Sequence, residues 1–213
     1  MKKLLVILKM LFFFFGIIGL ANAALVDHGN YSSCDATGLD WLEIVPTVNI
    51  SYNDMILEFE SGGLWEGWRH ASIAEFEAML GGIGGVPPYE GQSSNHNYVA
   101  PIFFEHFGTM FTGPGPGGID TADTTIGLLS DLAPGSVGDP TSRHYGAAVI
   151  DYYGNFVYYD SIDVRAHQIL DSWASPSHGH FLVRNTIVPI PGAFWLFGSG
   201  LIGIVGIGGK FKK

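Results

Sequence analysis

No lysine occurs between Lys9 and Lys210 in a chain of 213 residues. Arg69, Arg143, Arg165 and Arg184 are the only formal cations in that interval, set against all 20 acidic residues, a net charge of −16. So acidic a surface argues against nucleic acid as a partner, because phosphates are bound by Lys and Arg. Cysteine is nearly absent too. Cys34 stands alone, which rules out an internal disulfide and leaves it either inert or open to intermolecular pairing. Charged residues make up only 14% of the chain and aromatic residues another 14%, a balance that argues for a packed globular unit and against a disordered stalk. No internal repeat is visible.

The motifs of common chemistry are missing as well. There is no H-E-x-x-H, no C-x-x-C and no glycine-anchored calcium loop. Gly-x-Ser-x-Gly does not occur before the C-terminal tail, and Gly198-Ser199-Gly200 lies inside an apolar run with no base. Among the 8 histidines, His178 and His180 would share a face of a strand and could join a metal site if a third ligand folded nearby, with Asp160, Asp163 and Asp171 close in sequence. Solvated or hydrogen-bonded histidines are the plainer reading. Asp120 and Asp123 suit a calcium loop less well than a turn built on Asp, and Glu58, Glu60 and Glu66 read as a solvated helix end. In Gly67-Trp68-Arg69 the plainer reading puts Trp68 in the core and pairs Arg69 with a carboxylate such as Glu75, and a ligand-binding role is the alternative. No two carboxylates are singled out for glycoside hydrolysis, and Asn49-Ile50-Ser51 fits the glycosylation pattern only by chance. The expectation is no catalytic residue, no cofactor and no metal.

What is present is concentrated at the two ends. Lys2, Lys3 and Lys9 precede the apolar stretch Met10–Leu20, and Ala21-Asn22-Ala23 supplies an A-x-A site, so residues 1–23 read as a signal peptide handled by the secretion translocon and cut by signal peptidase after Ala23. An uncleaved anchor is the competing reading. At the other end, Val188-Pro189-Ile190-Pro191 leads into an uncharged run, Gly192–Gly209, closed by Lys210, Lys212 and Lys213. As a helix those 18 residues would be about 27 Å long, close to the roughly 30 Å core of a lipid bilayer. Phe194, Trp195 and Phe197 suit one interface, and the lysines hold the extreme C-terminus on the cytoplasmic side. Five glycines between Gly198 and Gly208 weaken the helix, and Ser199 with Gly203 forms a small-xxx-small pair. Such a span suits a processed segment better than a permanent tail anchor. Basic ends around an acidic middle place the middle across the membrane.

On those residues, Val188–Pro191, Ala193–Leu201, the glycine-rich span and the basic end, the tail resembles a PEP-CTERM sorting signal of the VPLPA variant. Ile190 stands where the namesake motif carries Glu, and Gly192 where the variant carries Ala. The resemblance implies processing by an exosortase, a membrane protease of Gram-negative bacteria that also make exopolysaccharide. The prolines would keep the backbone extended and accessible to it.

Residues 24–187 are long enough for one domain with a proper core. Cys34–Leu42 reads as a turn followed by a short strand. Ser51 with Asp54 starts a helix that puts Met55, Ile56 and Phe59 on one face and stops at Gly62-Gly63; Ser72 with Glu75 starts another, through Phe76, Met79 and Leu80, closed by Gly81-Gly82. Gly67–Ala71 reads as extended, 81–97 as a loop, Tyr98–Phe111 as a helix and Gly113–Gly118 as irregular. Tyr145–Asp151 and Phe156–Tyr159 flank a hairpin turn at Tyr153-Gly154-Asn155, and Gly179–Arg184 reads as a final strand. The expected class is α+β, with short N-terminal helices and a C-terminal antiparallel sheet. Thr37-Gly38-Leu39-x-Trp41, Gly67-Trp68-Arg69-x-Ala71-x-x-x-Glu75 and Phe181–Arg184 resemble exported domains that carry this sorting signal and, more remotely, the Lcl-type C-terminal domain, which implies a C-type-lectin-like fold. The chain lacks the cysteine pairs of true C-type lectins.

The function expected is that of a non-enzymatic exported protein, an exosortase substrate sorted to the cell envelope or extracellular polymer. The alternative is a carbohydrate-binding module using Tyr152, Tyr153, Tyr158, Tyr159 and Trp173 as stacking faces, with exopolysaccharide as the partner. A polysaccharide hydrolase is less favoured.

Overall fold

The computed structural model describes residues 25–114, 121–134, 143–152 and 160–186. Ala21, Ala23, the Val188–Pro191 motif (Pro189 and Ile190 included), the 192–209 run and Lys210, Lys212 and Lys213 lie outside the described residues, as do Asp120, the Tyr153-Gly154-Asn155 turn and Phe156–Tyr159. Among the described residues no helix is long and apolar enough to cross a membrane.

Among the described residues, two largely antiparallel sheets and three short α-helices form an α+β architecture. The first sheet has the order β1 (Leu25–Asp27), β2 (Tyr31–Cys34), β3 (Leu39–Leu42), β11 (Leu182–Asn185), β4 (Arg69–His70). The second has the order β10 (Gly179–His180), β7 (Thr121–Leu132), β8 (Arg143–Tyr152), β9 (Ser161–Leu170), β5 (Glu90–Gln92). β6 (Phe111–Pro114) shares the outer edge of β7 with β10: β6 runs antiparallel along Thr121–Thr124, and β10 runs parallel along Gly127–Leu128. Sheet structure is therefore not confined to the C-terminal half, because β1, β2 and β3 build most of the first sheet.

One chain segment belongs to both sheets. β10 and β11 are separated only by Phe181, whose N–H donates to the Leu128 carbonyl in β7 at 3.0 Å and whose carbonyl accepts from Ala71 N–H, just past β4, at 2.8 Å. The final strand expected at Gly179–Arg184 is thus two strands joined at a crossover. Phe181 is buried against Phe76, Phe103 and Phe107, at ring separations of 4.5, 5.8 and 6.3 Å. Those three rings come from α2 (Ile73–Gly82) and α3 (Val99–Phe107), which place apolar positions at helical spacing: Ile73, Phe76 and Leu80 on one, Val99, Phe103 and Phe107 on the other.

The capping signals behave as read. Ser51 caps α1 (Tyr52–Leu57), and Ser72 with Glu75 makes a reciprocal capping box on α2. α1 stops at Leu57, well before Gly62. The Glu58 carboxylate accepts from Leu64 N–H and the Glu66 carboxylate from Gly62 N–H, each at 2.9 Å, so the backbone of 58–66 is satisfied in a loop. Met55 is buried as expected, but Ile56 is exposed and shares no buried face with it. Phe111–Pro114 pairs as an edge strand, where a proline lacking N–H is tolerated, although Gly113 and Pro114 were expected to be irregular. Asp123 is a strand residue opposite Thr112, whose hydroxyl it accepts from, so the turn expected there does not exist at that residue.

Candidate functional site

The densest group of buried polar side chains sits where the two sheets meet. The Ser51 cap sets the start of α1 and so presents Tyr52 at its first turn. Edge strand β4 contributes His70, β10 contributes His180, β8 contributes His144, and the turn after β9 contributes Asp171. The Tyr52 ring is sandwiched: the His70 imidazole stacks on one side at 4.1 Å and 13°, and the His144 imidazole at 3.6 Å and 12°. Phe59 closes edge-on to His70 at 5.2 Å.

Each flanking imidazole is anchored inward by one nitrogen. His70 Nε2 lies 2.8 Å from His180 Nδ1, and His180 Nε2 lies 2.9 Å from the Ile50 carbonyl. His144 Nδ1 donates to Asp171 Oδ1 at 2.7 Å. No hydrogen bond among the described residues engages His144 Nε2, His70 Nδ1 or the Tyr52 hydroxyl. Burial pushes His70 down to about 2, with the nearby His180 and His144 rings adding to it, and pushes His180 down to about 4 against the carbonyl bond from Ile50. Burial first, then the charges of Asp171 and Asp131, push the Tyr52 phenol up to about 12. Burial therefore favours the neutral forms of His70, His180 and Tyr52.

That arrangement does not hold a metal. Tyr52 separates the His70 and His144 rings, and among the described residues no three His, Cys, Asp or Glu side chains converge as ligands. His178 and His180 do not form a pair either. His178 lies in the turn before β10, tilted 5.3 Å from Trp173 and edge-on to His167 at 6.0 Å, while His180 turns into the interior towards His70. Asp163 accepts from Arg165 N–H and Asp171 serves His144, so the acids that are close in sequence do not gather around His178.

The Gly67-Trp68-Arg69 motif is structural, as its plainer reading had it. Trp68 packs with Leu42, Met55 and Leu182. Arg69 forms a forked pair with Glu75, at 2.9 and 2.6 Å. Cys34 is buried in the main core. Among the described residues, the polar groups buried without a partner are both ring nitrogens of His96, the hydroxyl of Tyr89, whose ring lies 5.9 Å from that of His96, and the indole nitrogens of Trp41 and Trp65. Of the tyrosines and tryptophan considered as stacking faces, Trp173 is 52% exposed and Tyr152 lies in β8, while Tyr153, Tyr158 and Tyr159 fall outside the described residues. The cluster of Tyr52, His70, His144 and Asp171 was not anticipated from the sequence; its only signal was the surplus of histidine over any recognisable ligand spacing.

No protein-family model, curated protein or solved structure matches this chain.

Proposed function

We propose that this chain is a non-enzymatic exported protein, carried across the membrane by its N-terminal segment and sorted there through an exosortase-type protease acting on its tail. The observation that carries this reading is the order of charge along the chain, a lysine-free acidic middle between two basic, apolar ends. β1 starts at Leu25, two residues after Ala23. β11 ends at Asn185, and Thr186 donates its N–H to the Gly38 carbonyl at 3.0 Å and its hydroxyl to Asp40 at 2.9 Å. Cuts after Ala23 and near Pro191 would leave β1 and β11 themselves intact. The segregation of charge, with three lysines at each end and −16 between, supports the same sidedness. Signal peptidase, the translocon and the lipid bilayer are the partners on the way out; the cell envelope or the extracellular polymer is the destination. Intact-mass analysis of the protein from producing cells tests it: the mature chain should lack residues 1–23 and the tail. Recovery of the full-length chain from cells that possess the sorting protease would sink the proposal.

A second reading, a carbohydrate-binding module of C-type-lectin-like fold, is favoured by one feature. Trp173 presents its ring from a turn fixed by its own backbone: Asn53 N–H to Asp171 carbonyl, Trp173 N–H to Leu170 carbonyl and Asn49 N–H to Ser175 carbonyl, at 3.0, 2.9 and 3.0 Å. A rigid indole beside the Ser175 and Ser177 hydroxyls and the His178 ring suits the apolar face of a sugar ring and its rim of hydroxyls. Glycan-array binding by the wild type that disappears in Trp173→Ala would support this reading; silence of the wild type with and without calcium counts against it.

A further inference from the structure

The proton positions in the His70–His180 pair follow from its bonds. The Ile50 carbonyl only accepts, so His180 Nε2 carries a proton. A neutral His180 then has a bare Nδ1, which accepts from His70 Nε2–H at 2.8 Å. One further proton fits this arrangement, on His70 Nδ1, which no group among the described residues bonds. A second does not. It would have to enter at His180 Nδ1 and set two N–H groups head-on across 2.8 Å. The doubly protonated pair and the described packing are mutually exclusive.

The pair also joins two short elements to β10. β4 is a two-residue edge strand that pairs only with β11, and α1 has six residues. His70 ties β4 to His180 of β10, and His180 ties β10 to Ile50 just before the α1 cap. We propose that the His70–His180 pair is an acid-released latch, which holds β4 and α1 against β10 and lets them go when both rings take up protons, while the remainder of both sheets stays folded. It goes beyond the sorting reading and does not depend on it.

The groups facing the pair offer no counter-charge. Tyr52 of α1 stacks on His70 and lies 6.5 Å from His180, and Phe59 meets His70 edge-on. Thr47 accepts from the His180 backbone N–H at 2.8 Å. His144 of β8 lies beyond Tyr52, where a positive charge would work against one on His70. The neighbouring carboxylates are engaged elsewhere: Asp171 by His144, Asp131 by the Ile73 N–H at the start of α2, and Glu75 by the Arg69 that adjoins His70. In the closed state burial holds both rings below their usual value, whereas an opened segment returns them to about 6.5. Opening therefore takes up two protons, and its equilibrium constant should rise about a hundredfold per pH unit as the pH falls below about 6.5.

Amide hydrogen exchange of the full-length chain in detergent micelles, corrected for the intrinsic pH dependence, tests this between about pH 7 and about pH 5. The Asn53, Met55 and Ala71 amides should lose protection at a rate that approaches about a hundredfold per pH unit below about pH 6 while amides of β3 and β8 keep theirs. Histidine ring resonances should report two protons entering in one step. In His180→Gln, whose side chain retains a donor for Ile50 and an acceptor for His70, the slope should fall to about tenfold; if that variant does not fold, the wild-type slope alone decides. Three results overturn the latch: a wild-type slope of about tenfold or less, parallel loss of protection in β3 and β8, which makes the event whole-domain acid unfolding, or two rings that titrate singly near about 6.5 without any opening.

Discussion

The Nε–H of Arg184 donates to Oδ2 of Asp40 at 3.0 Å, between residues that sit opposite each other in the β3–β11 pair. The same carboxylate accepts from Ser33 at 2.6 Å and from Thr186 at 2.9 Å. The Arg184 guanidinium lies over the rings of Tyr31 and Trp68, 4.7 and 4.5 Å from their centroids. Burial alone would raise the Asp40 carboxyl, but the bonds from Ser33, Arg184 and Thr186 and the arginine charge outweigh it and hold it below the usual range. The last strand of the domain is thus locked to one of the first by a charge that stays ionised.

Asp40→Asn should cost about 3 kcal/mol of unfolding free energy at neutral pH, because it leaves Arg184 without its charge partner in a largely buried setting. The carboxyl is lowered in the fold, so its contribution is complete above the usual carboxylate value and fades as the pH falls through the folded one. Urea unfolding at neutral and acid pH measures both effects. Equal midpoints for variant and wild type at neutral pH would mean that the buried charge contributes nothing.

The Arg69–Glu75 fork carries a smaller prediction. Glu75 is held down to about 2, first by its bond from Arg69 and then by the Ser72 contacts, against the effect of burial. Arg69 is half exposed, so solvent screens the pair. Glu75→Gln, which weakens the ion pair and the capping box together, should destabilise by about 1 kcal/mol. The loss should be complete above about pH 4.5 and should vanish as the pH approaches about 2. Helical circular dichroism against temperature in that range reads it.

Local signals in the sequence were legible where chain neighbours decide the structure. Ser51, Ser72 and Glu75 cap helices because their partners are three residues away, and Gly67–Ala71 leads straight into α2. β7 was missed because Thr124–Leu129 is buried without a break, which erases the two-residue alternation of a half-buried strand. β9 does alternate over Ser161–Val164, then loses the pattern beyond its irregularity opposite Gly146–Ala148. The polar cluster was invisible for a different reason. His70 and His180 are 110 residues apart, and they meet only because the crossover at Phe181 brings β10 beside β4. Spacing along the chain favoured His178 with His180, and the fold separates them.

Phe181→Ala should be among the most damaging core substitutions. The ring is fully buried at the crossover between sheets and touches aromatic rings from both α2 and α3, so about 3–5 kcal/mol is expected. Trp173→Ala, by contrast, removes a half-exposed ring and should cost only about 1 kcal/mol. Chemical denaturation of the two variants side by side checks the contrast, and it also establishes that any loss of sugar binding in the second is local.

Processing at the tail should depend on its backbone. Proline disfavours a helix, so on the proposed sorting reading replacing Pro189 and Pro191 with Ala should lower the processed fraction several-fold while the described strands fold as before. Immunoblotting for the size shift between precursor and mature chain measures this. Normal processing of the double variant would place the determinant elsewhere, in the apolar run or in Lys210, Lys212 and Lys213.

The parallel pairing of β10 with β7 sets Gly179 opposite Gly127, and neither position has room for a side chain. A Cβ at Gly127 would stand 2.5 Å from Ile44 Cδ1 and 2.6 Å from the Phe181 ring, atoms at the ends of movable side chains. One at Gly179 would stand 2.7 Å from Ile44 Cγ1, 2.8 Å from Thr47 Oγ1 and 2.9 Å from the Ile44 carbonyl oxygen, and that last neighbour is backbone. Thr47 is moreover committed, since its hydroxyl donates to the Ile44 carbonyl at 2.6 Å and accepts from His180 N–H at 2.8 Å. Gly127→Ala should therefore cost about 1–3 kcal/mol, the usual range for overpacking, and part of it should return when Phe181→Leu or Ile44→Val opens space. Gly179→Ala should cost more and respond to neither, because the obstacle is the 44–47 turn itself and the bonds that hold His180 in place. A double-mutant cycle by urea unfolding separates the cases: coupling at Gly127 with its side-chain neighbours, and none at Gly179.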